Sequence, residues 1–187
     1  ICTVLHPKSK GYVELAPPEK KNYNNGLLIH ANYLSDDKGE DMKCLINILR
    51  KALDLANSGP LSQLLASTPL LPKDLLKKYN LSLTPLQDPK KEIPDAFWEE
   101  YVRRYASTLY HPTTTCRMGK TKQDGVVDSK LHVFDVENLR VADASIQPEI
   151  VSGNTHASCV VIGETAADII RHDHNLTSNA ENLLQAV

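Results

Sequence analysis

Val151-Ser-Gly-Asn-Thr-His156 runs without a break into Ala157-Ser-Cys-Val-Val-Ile-Gly-Glu-Thr-Ala-Ala-Asp-Ile-Ile-Arg171. The second part is apolar almost all round, which predicts a buried helix. The first part then stands at a helix N-terminus, where backbone N–H groups lack intrahelical partners and the peptide dipoles leave a partial positive charge. Such a start favours an anion; the alternative is that Ser152 or Asn154 simply caps the helix. Upstream, Asn138-Leu-Arg-Val-Ala-Asp-Ala-Ser145 reads as a strand ending in Asp-Ala-Ser. Acidic and small residues at the carboxyl end of a strand suit close approach of a nucleotide ribose or pyrophosphate; a plain turn is the other reading. Val126-Val127, Leu131–Val136 and Leu139–Val141 are short strand candidates between turns. Before them lies Tyr110-His-Pro-Thr-Thr-Thr-Cys-Arg-Met-Gly119. Pro112 biases His111 toward extended geometry, so this is a Thr-rich loop, and the simplest role for His111 is a loop hydrogen bond.

The first third reads differently. Cys2–Leu5 is β-prone, Pro7-Lys-Ser-Lys-Gly11 is a turn, and Tyr12-Val-Glu-Leu15 alternates, so residues 1–15 predict a hairpin-like unit. Pro17-Pro18 and Asn22–Gly26 are loop signals. Leu27–Tyr33 is a third strand candidate, with Leu27, Ile29, Ala31 and Tyr33 on one face. Asp41–Ala56 is a helix: Met42, Leu45, Ile46, Leu49, Leu53 and Ala56 form one stripe, and Asn57-Ser-Gly-Pro60 stops it. Residues 60–94 predict short helical pieces and loops. A second helix begins at Asp95 as N-cap and buries Phe97, Trp98, Tyr101, Val102 and Tyr105. After His172 a polar tail with a weak final helix is expected. The fold class is α+β: a mixed sheet of N-terminal strands covered by the helix at 41–56, followed by a C-terminal strand and buried helix.

Hydrophobic residues make up 41% and charged residues 24% of 187, which predicts a soluble globular chain. The net charge of −2 and the lack of a basic run exclude the electrostatic footprint of a nucleic-acid binder. The longest apolar stretch, Ala157–Ile170, carries Glu164, Thr165 and Asp168 and is too short and polar to span a bilayer. Cys2, Cys44, Cys116 and Cys159 have no disulfide-framework spacing. His111 with Cys116, and His156 with Cys159, match no standard zinc spacing, so no metal is expected. The chain opens on Ile1 without a charged-then-apolar leader, and the expectation is a processed product or a piece of something longer.

Taken together, the clusters resemble the second signature region of the glucose–methanol–choline (GMC) oxidoreductases. The residues that carry the resemblance are Tyr110-His-Pro112 with Thr115-Cys-Arg-Met-Gly119, Gly125-Val-Val-Asp128, Leu131-His-Val133, Asn138-Leu-Arg-Val141, Asp143-Ala-Ser145, Pro148, Ser152-Gly-Asn154 and Glu164–Ile170. Pro7-Lys-Ser-Lys-Gly11, Val13-Glu-Leu15 and Asn32-Tyr-Leu-Ser35 are similar to the opening of the family's C-terminal substrate-domain region. The likeness runs to about Arg171 and is weakest over 60–94.

The resemblance implies FAD as cofactor and a small-molecule alcohol as substrate. It implies that His111 lies over the reactive flavin face and is paired with Asn154. That pairing makes chemical sense. An imidazole suits acceptance of the alcohol proton, an amide holds the oxygen as it develops alkoxide character, and FAD takes the hydride. Asp143 and Ala144 match a segment near the ribityl–pyrophosphate region, and Thr155 and His156 match backbone facing the flavin pyrimidine edge. Two departures stand out: Thr114 where Gly is common, and His156 where a second Asn is often found, which leaves His156 as a rival to Asn154. No Gly-x-Gly-x-x-Gly follows a strand in this sequence. The implied organisation is a substrate-domain part at 1–106 and a return into the FAD-binding domain at 107–187, the N-terminal FAD-binding segment lying elsewhere, with the isolated chain inactive. Rival readings are a lyase or decarboxylase on the same scaffold, or a non-catalytic binding module.

Overall fold

The computed structural model describes residues 1–20, 26–64, 71–81 and 93–176. The chain divides into two compact units, Ile1–Thr108 and Leu109–Val187, each described by itself.

In the first unit, strands β1 (Tyr12–Leu15) and β2 (Leu27–His30) pair antiparallel, with Tyr12 opposite His30 and Leu15 opposite Leu27. The alternation sorts the side chains. Tyr12 stacks on His30 with ring centroids 4.3 Å apart, and His30 Nε2 meets Glu14 Oε1 at 2.9 Å. Val13, Leu15, Leu27 and Ile29 share the other face and are exposed. Gly11 is required where the chain enters β1: a Cβ there would lie 2.2 Å from the His30 carbonyl oxygen.

Three expectations fail here. Cys2–Leu5 forms no strand: the turn after it is drawn to Asp41, whose carboxylate accepts the Lys8 and Ser9 amides at 2.8 and 2.9 Å. The strand at Leu27 stops at His30, because Asn32 and Leu34 adopt positive φ (49° and 58°); Leu27 and Ile29 lie on its exposed face. The sheet is not mixed but a two-stranded antiparallel pair among the described residues. The loop reading at Asn22–Asn25 lies outside the described residues.

Helix α1 (Glu40–Ala56) starts one residue before the expected Asp41, since the Asp36 carboxylate accepts the Glu40 and Asp41 amides. Its stripe packs chiefly on α4 rather than over the hairpin. Helices α2 (Gly59–Leu64) and α3 (Lys73–Lys78) are short pieces within 60–94; the rest of that reading lies largely outside the described residues. In α4 (Asp95–Tyr105) the N-cap is Pro94, not Asp95. Pro94 supplies the extended entry, and Asp95 turns to Arg50 at 2.7 Å. Met42, Ile46, Leu75, Leu76, Ile93, Phe97, Trp98 and Val102 form the core, while Tyr105 remains exposed. Glu100 ties α3 to α4: hydrogen bonds from Lys78, Tyr79 and Arg104 hold its carboxyl down to about 2 against the opposing effect of burial.

The second unit is held by turns rather than strands. The candidates at Val126-Val127, Leu131–Val136 and Leu139–Val141 reduce to single bridges, Met118 to Val127, Val127 to Val133 and His132 to Arg140. Left-handed residues at Leu131, Asp135 and Asn138 (φ 70°, 60° and 57°) turn the chain within the second run and just before the third. Gly119 and Gly125 pass backbone to backbone, where a Cβ on Gly119 would lie 2.6 Å from the Gly125 nitrogen. The expected strand into Asp143 is instead a turn capped by Asp143, leading into a 3-10 helix at Ala144–Ile146. Helix α5 spans His156–Asp173. It is not buried all round. Ala166 packs on Val127, Leu131 and Ile146, with Ile162 and Ile169 beside it, whereas Val160 and Val161 are 51% and 63% exposed. The unit offers an apolar partner to one face of the helix only. Arg140 and Lys130 reach Asp173 at its C-terminal end. No described helix is long and apolar enough to cross a membrane. The expected final helix in the tail lies outside the described residues.

Candidate active site

His111 is positioned by backbone before any side chain acts. The amides of Thr114, Cys116 and Met118 donate to the carbonyls of Ala144, Ser145 and Ile146 at 3.4, 3.0 and 2.8 Å. The His111 loop is thereby laid along the 144–146 turn. That turn is tied to α5 in its turn: Gln147 Nε2 donates to Ser158 Oγ at 2.8 Å, and Ser158 Oγ donates to the Thr155 carbonyl at 2.8 Å. The imidazole therefore arrives at the start of α5.

There Asn154 Nδ2 lies 3.1 Å from His111 Nε2, and Thr155 Oγ1 lies 3.1 Å from His111 Nδ1. His111 is half-buried, Asn154 exposed and Thr155 buried. The ring thus has one edge on a buried hydroxyl and the other facing an exposed amide. Two residues 43 and 44 positions downstream meet the two nitrogens of one imidazole.

The other expected site residues sit nearby in different roles. Asp143 Oδ1 accepts from the Ser145 amide and hydroxyl at 2.8 and 2.5 Å, so that oxygen is committed to the turn, while Oδ2 makes no described hydrogen bond. Ala144 enters through its carbonyl, which receives the Thr114 amide. His156 is the exposed first residue of α5, and no described hydrogen bond joins it to His111. Thr155, rather than Ser152 or Asn154, is the N-cap residue of α5; it makes no side-chain cap bond, and no acid lies in the first turn. Among the described residues no three His, Cys, Asp or Glu side chains converge as metal ligands, and all four cysteines are free.

The Thr155 side chain on His111, and the Gln147–Ser158 relay behind it, are absent from the sequence reading. The i,i+3 spacing of Thr155 and Ser158 at a helix start is a weak signal for part of it; nothing local marks Gln147.

The family model for the GMC oxidoreductases matches residues 7–163. A GMC-type oxidoreductase of Mycobacterium bovis is 38% identical over 170 residues, 90% of this chain and 28% of the relative. An alcohol dehydrogenase (acceptor) of Pseudomonas putida is 36% identical over 170 residues, 91% of this chain and 26% of the relative. Among solved structures, a formate oxidase of Aspergillus oryzae determined to follow FAD modification superposes with a TM-score of 0.69 at 28% identity, over 90% of this chain and 26% of that one. The chain spans 26–28% of the length of these relatives.

Proposed function

Because the chain belongs to the GMC oxidoreductase family, we propose that it is the C-terminal portion of an FAD-dependent enzyme that oxidises an alcohol, with His111 as base and Asn154 as its partner. The observation that carries this reading is the contact between His111 and Asn154 at 3.1 Å across 43 residues of chain. The name of the Pseudomonas relative supports an alcohol as the substrate class.

The residues fit the cofactor. Thr155, the N-cap of α5, makes no side-chain cap bond, and no acid lies in the first turn; a Cβ on Gly153 would meet nothing within 4 Å. A helix start with no acid in its first turn suits the electron-rich edge of a flavin ring. The Thr155 and His156 backbone would hold that edge, and Asp143 Oδ2 with Ala144 would lie toward the ribityl–pyrophosphate portion. FAD, when bound, supplies the hydride acceptor that no side chain provides.

The residues of this chain manage the alcohol oxygen and its proton. His111 Nε2 accepts the O–H proton. Asn154 Nδ2 already lies against Nε2, so the substrate hydroxyl takes the place of the amide at that nitrogen. The amide then donates to the alcohol oxygen, where negative charge develops. The segment carrying the dinucleotide fingerprint lies elsewhere in the polypeptide. It covers the exposed aliphatic faces of the hairpin and of α5, burial that each face otherwise lacks. The first unit supplies substrate-domain structure and the second completes the FAD domain. Without that segment the chain does not turn over.

Stopped-flow flavin reduction in the intact enzyme at saturating substrate tests the assignment. His111→Ala is expected to slow reduction by about 10²- to 10⁴-fold, the usual span for a positioned general base. Asn154→Ala also slows it, and His156→Ala has a smaller effect than either. Wild-type reduction in His111→Ala together with a crippled His156→Ala would move the base to His156.

A further inference from the structure

We propose that Thr155 is a positioning residue that fixes the tautomer and the orientation of His111, leaving the lone pair of the imidazole at Nε2. The proposal rests on the reading of His111 as the base.

The argument starts from donors and acceptors. An amide nitrogen donates and does not accept. Asn154 Nδ2 lies 3.1 Å from His111 Nε2, so Nε2 is the acceptor and carries the lone pair. A neutral imidazole has one N–H and one bare nitrogen. The proton is therefore on Nδ1, and Nδ1 donates to Thr155 Oγ1, 3.1 Å away. A hydroxyl oxygen has lone pairs free to receive it.

Thr155 is built to stay in place. It is 8% exposed. Its carbonyl accepts from Ser158 Oγ at 2.8 Å and from the Cys159 amide at 2.9 Å, and Ser158 is held by Gln147, itself 7% exposed. A β-branched side chain has little χ1 freedom. Asn154 is exposed by contrast, so the two partners divide the work. Thr155 grips the edge of the ring that must not move, and Asn154 occupies the edge that substrate must reach. When Nε2 takes the alcohol proton, the Nδ1 proton stays where it is and continues to donate to Oγ1. Among the described residues both hydrogen-bond partners of the ring are uncharged, so no carboxylate sets the tautomer in place of Thr155.

The test uses the intact, FAD-loaded enzyme as wild type, Thr155→Val, Thr155→Ser and His111→Ala. Valine keeps the buried shape and removes the acceptor; serine restores it. Histidine ¹⁵N spectra, recorded where the imidazole is neutral and assigned by loss of signal in His111→Ala, read the tautomer directly. Wild type and Thr155→Ser are expected to show the proton on Nδ1, whereas Thr155→Val shifts the ring toward Nε2–H. Flavin reduction should fall by about two- to twelvefold in Thr155→Val, the scale of one lost hydrogen bond, and recover in Thr155→Ser. A wild-type ring protonated on Nε2 overturns the proposal. So does a Thr155→Val enzyme with wild-type spectrum and rate beside a slow His111→Ala, an outcome that leaves the base assignment standing. Wild-type reduction in His111→Ala removes the base assignment and the proposal with it.

Discussion

Asp41→Asn should loosen the whole entry to the first unit. The Asp41 side chain is only 4% exposed and accepts the Lys8 and Ser9 amides at 2.8 and 2.9 Å. Ser9 in turn uses its Oγ to accept the Ser35 and Asp36 amides at 2.9 and 3.1 Å, and the Asp36 carboxylate caps α1. One carboxylate therefore anchors three separate stretches of chain. Asparagine keeps one acceptor oxygen, loses the charge and turns an NH2 toward a backbone N–H. Losing a charge-assisted hydrogen bond costs about 1.5–3 kcal/mol, and a buried amide left unpaired adds to that; the two effects overlap, so the net loss should be about 2–4 kcal/mol. The pH dependence follows from the same contacts. Burial alone would raise the Asp41 carboxyl, but hydrogen bonds from the Ser9 side chain and the Lys8 and Ser9 amides outweigh it and hold the group below its ordinary 3.8. A carboxyl depressed on folding stabilises above its unfolded value and loses that contribution as pH falls through the folded one. The wild-type advantage over Asp41→Asn should thus be whole above about pH 5 and fade below about pH 4. Urea unfolding gives the magnitude, and amide hydrogen exchange gives the location, with protection lost first at Lys8 and Ser9. If those two amides exchange in Asp41→Asn as slowly as in wild type, the anchoring argument is wrong.

Thr114 has φ 70° and makes no described side-chain hydrogen bond. Thr114→Gly should therefore stabilise by about 0.5–1 kcal/mol, the left-handed penalty of about 1–2 kcal/mol less the extra freedom glycine gives the unfolded chain, read as a higher unfolding midpoint. Arg140 joins Asp173, the acid at the C-terminal end of α5, and also donates to the Lys130 carbonyl; Arg140→Ala should speed amide exchange in the last turn of α5, and Asp173→Asn should do so less, because an acid there opposes the helix dipole.

Physical reasons separate what the sequence carries from what it does not. The stripe at Met42, Leu45, Ile46, Leu49 and Leu53 is a local pattern with one solution, and α1 follows it. Cys2–Leu5 has strand propensity, but a strand needs a partner with free hydrogen-bonding groups, and the adjoining turn is claimed by Asp41. Of the apolar residues of 126–141, Val126, Val136 and Leu139 are exposed, while Val127 and Leu131 are buried and Val133 and Val141 pack beside them. They insert one at a time from a chain that turns at Leu131, Asp135 and Asn138, and apolar pattern alone cannot tell that from short strands. For α5 the sequence shows which faces are apolar, not which of them this unit covers. At the site, motif order points to His111 and Asn154, whereas the hydroxyl of Thr155 is invisible to a reading that treats the residue as helix backbone.

The backbone around His111 explains why the two partners of the ring can behave so differently. Tyr110 and Thr114 are both left-handed, at φ 60° and 70°, and Pro112 restricts the residue between them. Non-glycine residues persist in such conformations only where the surroundings over-determine them. Here the three hydrogen bonds from the 114, 116 and 118 amides to the 144–146 turn supply that constraint. Left-handed residues thus flank the imidazole on both sides. Across the contact, Asn154 is exposed, and a Cβ on Gly153 just before it would meet nothing within 4 Å. A rigid donor of geometry thus faces a lightly held amide. On the proposed assignment the amide covers the Nε2 lone pair at rest, so one member must yield when a substrate hydroxyl approaches. The constraints on the His111 loop and the burial of Thr155 make Asn154 the one that moves.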